Sequence, residues 1–133
     1  MSDEKKDVPP LTGQITWVYT RDLEAAERFY GGQLALREVY RTEAARIYAC
    51  GPSAHIGVCR EFDDRVVEPK GGMITLLTDD VDGWYAHLQA AGVPMLGPPE
   101  RHARFAIYSF FALDPEGYRI EFQKFLDPAW RAT

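Results

Sequence analysis

The chain has 133 residues, of which 46% are hydrophobic and 13% aromatic, and its formal net charge at pH 7 is −5. This length fits one compact domain or two small halves with a shared core, and the composition argues against disorder. The acidic balance argues against nucleic-acid binding, and no apolar run approaches the roughly 20 residues of a membrane-spanning helix. Met1–Asp7 shows no signal-peptide pattern, and Cys50 and Cys59 lack CxxC spacing, so we expect a cytoplasmic protein with free thiols.

The first half of the chain has the pattern of a strand, a helix and three further strands. We assign it to residues 13–62, after a tail at residues 1–12. Asp22 is a good N-cap residue, and apolar residues at helical spacing follow it to about residue 34, with a break or end near Gly31-Gly32. The four predicted strands are Gln14–Thr20, Leu36–Arg41, Arg46–Cys50 and His55–Arg60.

The second half repeats this pattern after a charged, Pro- and Gly-containing linker at residues 63–72. Residues 15–23 align with residues 73–81 at a constant offset, so that Asp80 takes the place of Asp22. We assign this half to residues 73–125, followed by a tail at residues 126–133. Its predicted elements are a strand at Met73–Thr78, a helix from Val81 that stops at Gly92, a broken edge at Pro94–Pro99, and a long strand at Ala103–Leu113.

The last predicted strand follows a tight turn. Pro115 and Gly117 favour the turn, and the residues after it alternate between an apolar face and a polar face that carries Arg119, Glu121 and Gln123. Two units of this size are each too small to bury a helix and a sheet face alone. We therefore predict an α+β fold of two tandem βαβββ modules, with a curved mixed sheet, helices outside and a concave cavity.

The chain resembles the vicinal oxygen chelate superfamily, which contains glyoxalase I, bleomycin-resistance proteins and extradiol dioxygenases. The resemblance covers about residues 13–125. It is carried by Tyr19-Thr20-Arg21-Asp22-Leu23 followed by Phe29-Tyr30, by Thr78-Asp79-Asp80-Val81, and above all by Asp114-Pro115-Glu116-Gly117-Tyr118-Arg119-Ile120-Glu121. It implies the tandem βαβββ fold and, for a single chain of this size, a homodimer.

The resemblance also implies four positions for the ligands of a divalent metal. The first strand of each module offers one position, and these hold Ile15 and Met73; the last strand of each module offers another, and these hold Gly57 and Glu121. A catalytic divalent metal needs three or more nitrogen or oxygen ligands, so we predict no metal and no other cofactor. The alternative is a displaced metal held by Glu121 with His55.

The candidate ligand-binding residues lie on the strand faces predicted to line the cavity. They are Trp17, Tyr19, His55, Met73, Thr75, Arg119 and Glu121. Glu121 is also the candidate catalytic residue, because a carboxylate in a dry pocket acts as a general base or anchors a cation. Aromatic side chains stack on flat or cationic ligands, or simply fill a core. His102 and Arg104 lie near the predicted rim.

Three functions agree with these residues. The first is binding of an organic small molecule without a metal, nearest in style to the bleomycin-resistance proteins. The second is a metal-dependent or Glu121-based lyase, isomerase or dioxygenase. The third is a structural or interaction module whose cavity is filled by its own side chains.

Overall fold

A computed structural model describes residues 8–130. The first module contains β1 (Gln14–Thr20), α1 (Leu23–Glu27) continued by a π-helical segment (Arg28–Gln33), β2 (Arg37–Arg41), β3 (Ala45–Ala49) and β4 (Ala54–Arg60). The second contains β5 (Met73–Leu77), α2 (Val81–Ala90), β6 (Glu100–His102), β7 (Ile107–Leu113) and β8 (Arg119–Phe125), after a short 3-10 turn (Pro69–Gly71). The predicted α+β class and the tandem βαβββ order are confirmed.

The two modules have the same sheet topology. The strand orders are β1-β4-β3-β2 and β5-β8-β7-β6, with β1 parallel to β4, β5 parallel to β8 and the remaining pairs antiparallel. Trp17 lies opposite Gly57 in the first sheet, and Thr75 lies opposite Glu121 in the second. Gly57 and Glu121 therefore occupy equivalent positions, as the internal repeat predicts.

Each helix begins at the predicted N-cap. The Asp22 carboxylate accepts a hydrogen bond from the Ala25 N–H at 3.0 Å, and the Asp80 carboxylate accepts one from the Gly83 N–H at 2.9 Å. In the first module the two central glycines do not end the helix but lie within the π-helical segment. A Cβ atom on Gly31 would lie 3.2 Å from the Tyr48 ring, so the glycine lets the helix approach β3 closely.

The predicted long strand at Ala103–Leu113 is wrong. The chain turns back at residues 103–106, where Ala106 has a φ of 50°, and β6 then pairs antiparallel with β7. Two backbone hydrogen bonds close this turn, from the Phe105 N–H to the His102 carbonyl and from the Ala106 N–H to the Ala103 carbonyl. The turn contains neither Gly nor Pro, the residues from which turns are usually predicted.

Both modules contribute to one hydrophobic core. Phe122 of β8 stacks on Phe110 of β7 and on Trp84 of α2, and the buried residues of β1, β4 and α1 belong to the same cluster. The helices thus cover one face of each sheet and leave the other face concave and accessible. No helix among residues 8–130 is long and apolar enough to cross a membrane.

Asp114 fixes the turn before β8 and attaches it to the first module. One carboxylate oxygen accepts hydrogen bonds from the N–H groups of Glu116 and Tyr118 at 2.9 and 2.8 Å, and the other accepts one from the Tyr30 hydroxyl at 2.8 Å. Burial raises the pKa of Asp114. Burial and the neighbouring Asp114 raise the pKa of Tyr30 well above its usual value, so that Tyr30 remains a neutral donor.

The rest of this turn also contacts the first module. The Glu116 carboxylate accepts hydrogen bonds from the Arg21 N–H at 2.7 Å and from the Thr20 hydroxyl at 3.0 Å, both at the end of β1. The Tyr118 hydroxyl accepts one from the Tyr19 N–H of β1 at 3.4 Å and one from the Glu68 N–H of the linker at 3.0 Å. A turn that the sequence identifies by its Pro and Gly is therefore also the polar connection between the modules.

Candidate functional site

The concave face of the second sheet contains a cavity of about 430 Å³, which we call the Glu121 cavity. Its walls are Met73, His102, Phe105, Ile107, Phe111, Glu121, Gln123 and Phe125. Alternation along β8 puts Glu121, Gln123 and Phe125 on one face. Register then places Phe111 of β7 directly opposite Glu121. The β6–β7 turn supplies the rim, so the cavity combines one carboxylate with mostly apolar walls.

Glu121 is buried, with 3% of its surface exposed, and its partners are neutral. The Thr75 hydroxyl donates to one carboxylate oxygen at 2.8 Å. The Gln123 amide, oriented with its nitrogen toward Glu121, donates to the two carboxylate oxygens at 3.1 and 3.2 Å. Within residues 8–130, no basic side chain forms an ion pair with Glu121. Burying a carboxylate with only neutral donors costs free energy, because no opposite charge replaces its hydration.

The structure brings three of the seven predicted site residues together. Met73 lines the Glu121 cavity, and Thr75 bonds directly to Glu121. Arg119, two residues before Glu121 on the same face, pairs instead with Met73 across the strands and lies outside the cavity wall.

The other predicted residues line neighbouring depressions. Trp17, Tyr19 and Arg119 share a groove of about 340 Å³ with Met73, so this groove adjoins the Glu121 cavity. His55 lines one depression beside Ile15 and a second one that it shares with Met73 and Thr75, but it does not belong to the wall around Glu121.

Several wall residues were not among the predicted site residues: Phe105, Ile107, Phe111, Gln123 and Phe125. For Gln123 and Phe125 the signal was present, because alternation along β8 extends from Glu121 to both. Predicting Phe111 as a wall residue would have required the register between β7 and β8. Predicting Phe105 would have required the turn at residues 103–106, which the sequence did not reveal. His102, considered for the rim, does line the cavity.

Two arginine side chains at this end of the sheet pack against aromatic rings. The Arg104 guanidinium lies 5.2 Å from the centre of the Phe105 ring, and the Arg101 guanidinium lies 5.8 Å from that of Tyr108. Both are cation–π distances. These cations thus pack on aromatic rings, one of them the wall residue Phe105, and form no ion pair with Glu121 among residues 8–130.

In the first module an indole covers the position equivalent to Glu121. A Cβ atom on Gly57 would lie 2.5 Å from the Trp17 ring, a distance shorter than Cβ atoms in proteins keep from other heavy atoms. Trp17 therefore packs directly on the backbone at Gly57, and this packing requires glycine. The first sheet consequently has an aromatic surface where the second has a carboxylate.

The four implied metal positions can be tested against this geometry. Ile15 and Met73 offer no nitrogen or oxygen, and Gly57 has no side chain and lies under an indole, which leaves Glu121 alone. No cluster of three or more His, Cys, Asp or Glu side chains suited to a metal ion occurs in the described part of the chain. The donor set at these positions does not fit a divalent centre.

The two cysteines are not activated. Cys50 and Cys59 are both free thiols, and burial raises the pKa of each. A nucleophilic cysteine needs the opposite shift, toward the thiolate. The chemistry of the site therefore rests on Glu121 and its surroundings.

Comparison with known proteins places this geometry in a family. Residues 12–122 match the family model of the glyoxalase/bleomycin resistance protein/dioxygenase superfamily. A comparison with curated proteins found no match.

Among solved structures, the chain is similar to a lactoylglutathione lyase from Agrobacterium tumefaciens, with a TM-score of 0.74, 23% identity, and coverage of 92% of this chain and 100% of that one. It is also similar to a glyoxalase/bleomycin resistance protein/dioxygenase from Nocardioides, with a TM-score of 0.72, 18% identity, and coverage of 98% and 93%. TioX from Micromonospora sp. ML1 gives a TM-score of 0.71, 18% identity, and coverage of 84% and 97%. At these identities the likeness shows the fold. Because the family model spans most of the sequence, the chain belongs to the glyoxalase/bleomycin resistance protein/dioxygenase superfamily.

Proposed function

We propose that this protein binds an organic small molecule in the Glu121 cavity and does so without the metal of the related enzymes. The observation that carries the proposal is a buried carboxylate, held by two neutral donors, at the wall of a mostly apolar cavity. Its volume of about 430 Å³ falls within the range of small-molecule sites. A few polar groups among mostly apolar and aromatic walls are the usual composition of such a site.

The side chains at the four implied metal positions support the metal-free part of the proposal. Glu121 is the single oxygen donor among them, and Trp17 occupies the space where a side chain at position 57 would project. A ligand would therefore contact the carboxylate directly instead of through an ion.

A second candidate is a lyase or isomerase that uses Glu121 as a general base. It is favoured by one observation, that His102 lines the same cavity and would supply a second proton-transfer group. Turnover of a bound compound, lost in Glu121→Gln with binding retained, would establish this candidate over simple binding.

We further propose that the protein forms a homodimer through the concave faces. Four apolar side chains on β1 and β5 are 40 to 52% exposed there: Ile15, Trp17, Leu77 and Met73. An apolar surface of this kind marks an interaction site. Sedimentation at micromolar concentration should give the mass of two chains, and a monomer would contradict this proposal while leaving the cavity of a single chain intact.

A thermal-shift screen tests the binding function. A compound that binds the native state raises the unfolding temperature, so at least one member of a library of small organic compounds should do so. Met73→Trp, which narrows the cavity, should abolish the shift. Leu77→Trp is the matched control, because it adds an indole to the same face of β5 outside the cavity wall.

Two results would contradict the proposal. One is a screen in which no compound stabilises the protein. The other is elemental analysis of the purified protein that finds a tightly bound divalent metal in stoichiometric amount and lost in Glu121→Ala.

A further inference from the structure

We propose that the group recognised by Glu121 is an organic ammonium carried on an apolar or aromatic body. This inference rests on the proposed function, since it names the class of molecule that the Glu121 cavity binds.

Glu121 is the negatively charged group of the cavity. An opposite charge stabilises a carboxylate removed from water more strongly than neutral donors do, and Glu121 has only the neutral Thr75 and Gln123 as hydrogen-bond partners among the described residues. An ionised carboxylate offers about four lone-pair sites. Thr75 and Gln123 use three of them, which leaves acceptor capacity for a donor in the cavity.

Three aromatic rings belong to the cavity wall. Phe111 lies directly opposite Glu121 across the sheet, and Phe105 and Phe125 also line the cavity. The faces of aromatic rings attract cations, and this attraction is stronger when the ammonium group has lost its water. An anionic ligand would meet the carboxylate with like charge, and a neutral apolar ligand would bury the carboxylate more deeply without a partner.

The nearby arginines of the chain itself have other contacts than Glu121. Arg104 and Arg101 pack on the rings of Phe105 and Tyr108, and Arg119 lines the neighbouring groove. None of them forms an ion pair with Glu121 within residues 8–130. His102 is the other titratable group that the described residues place on the wall. The compensating charge therefore comes from the ligand.

The test uses three probes with one aromatic body: 2-phenylethylamine, 2-phenylethanol and 3-phenylpropionate, titrated at pH 7 by calorimetry or by NMR. The amine, which is protonated at this pH, should bind at least about tenfold more tightly than the alcohol. The carboxylate should not bind. In Glu121→Gln the amine should lose its advantage while the alcohol keeps its affinity, because the cavity volume is preserved.

Glu43→Gln is the matched control. It removes one negative charge from an exposed position in the β2–β3 turn and should leave all three affinities unchanged. If it lowers amine binding as much as Glu121→Gln does, the preference comes from the overall charge and the inference is overturned.

The remaining outcomes separate the two proposals. Equal affinity for amine and alcohol in the wild-type protein overturns the ammonium inference and leaves small-molecule binding standing. Amine binding that perturbs residues away from the Glu121 cavity also overturns it. Binding of none of the probes, together with an empty thermal-shift screen, overturns both. The wild-type comparison is decisive even if Glu121→Gln does not fold.

Discussion

The two modules share topology and register but differ in the size and charge of the side chains at one cross-strand pair. In the first module a large residue of β1, Trp17, lies over Gly57 of β4. In the second module a small residue of β5, Thr75, donates a hydrogen bond to the longer Glu121 of β8. The same backbone thus supports an aromatic surface in one module and a carboxylate-bearing cavity in the other. The site is determined by this side-chain pair rather than by the topology.

The largest effect on ligand binding is expected when the Trp–Gly pair of the first module replaces Thr75 and Glu121 in the second. Thr75→Trp combined with Glu121→Gly should retain the fold, because the first module already accommodates this pair. Binding of small organic compounds should fall below detection, since the indole covers the cavity and the carboxylate is gone. Calorimetric titration measures the loss, with Leu77→Trp as the control. Undiminished binding would show that the pair does not determine the site.

The next effect comes from the first module. Gly57→Ala places a Cβ atom against the Trp17 ring, and such overpacking costs about 1–3 kcal/mol. Urea unfolding measures this loss. Trp17→Ala in the same chain should cancel most of it, because the ring that causes the clash is removed. A Gly57→Ala protein as stable as the wild type would mean that the indole moves aside freely.

Tyr30→Phe tests the contact between the modules. It removes the hydroxyl that donates to buried Asp114, and a hydrogen bond to a charged group contributes about 1.5–3 kcal/mol to the free energy of unfolding. Tyr48→Phe is the matched control, because the two rings stack and the buried Tyr48 hydroxyl has no hydrogen-bond partner among residues 8–130. Urea unfolding at pH 7 should show a loss for Tyr30→Phe and none for Tyr48→Phe. Equal losses would assign the effect to ring packing.

The smallest effect is a dependence on alkaline pH. Burial raises the pKa of Tyr48 from its usual 10 to about 12, so the folded state favours the neutral phenol. Its contribution to stability is complete below pH 10 and is lost as the pH rises toward about 12, because the unfolded chain ionises first. At pH 10.5 the loss is below about 1 kcal/mol. Tyr48→Phe should therefore unfold with a shallower dependence between pH 9 and pH 10.5, and an unchanged slope would refute this assignment.

The sequence predicted the fold well where local signals and the repeat agree. Asp22 and Asp80 cap helices, and the repeat places Gly57 and Glu121 at equivalent positions because strand alternation has a fixed period of two. The β6–β7 turn was missed because Ala103–Ala106 contain no residue typical of turns. The cavity was predicted only in part, because Phe111 reaches Glu121 through cross-strand register, which depends on pairing between distant segments. The contact of Trp17 with Gly57 could not be predicted from the sequence, because it depends on how the indole packs on the neighbouring strand.

The turn at Asp114–Tyr118 has a consequence for how the protein unfolds. Thr20, Arg21 and Tyr30 of the first module all give hydrogen bonds to carboxylates of this turn in the second. If one module opened alone, it would leave the Tyr30 hydroxyl or the Asp114 carboxylate without its partner, in addition to exposing the shared core. The two repeats are therefore a single cooperative unit, and heat or urea should unfold them in one transition despite their internal symmetry.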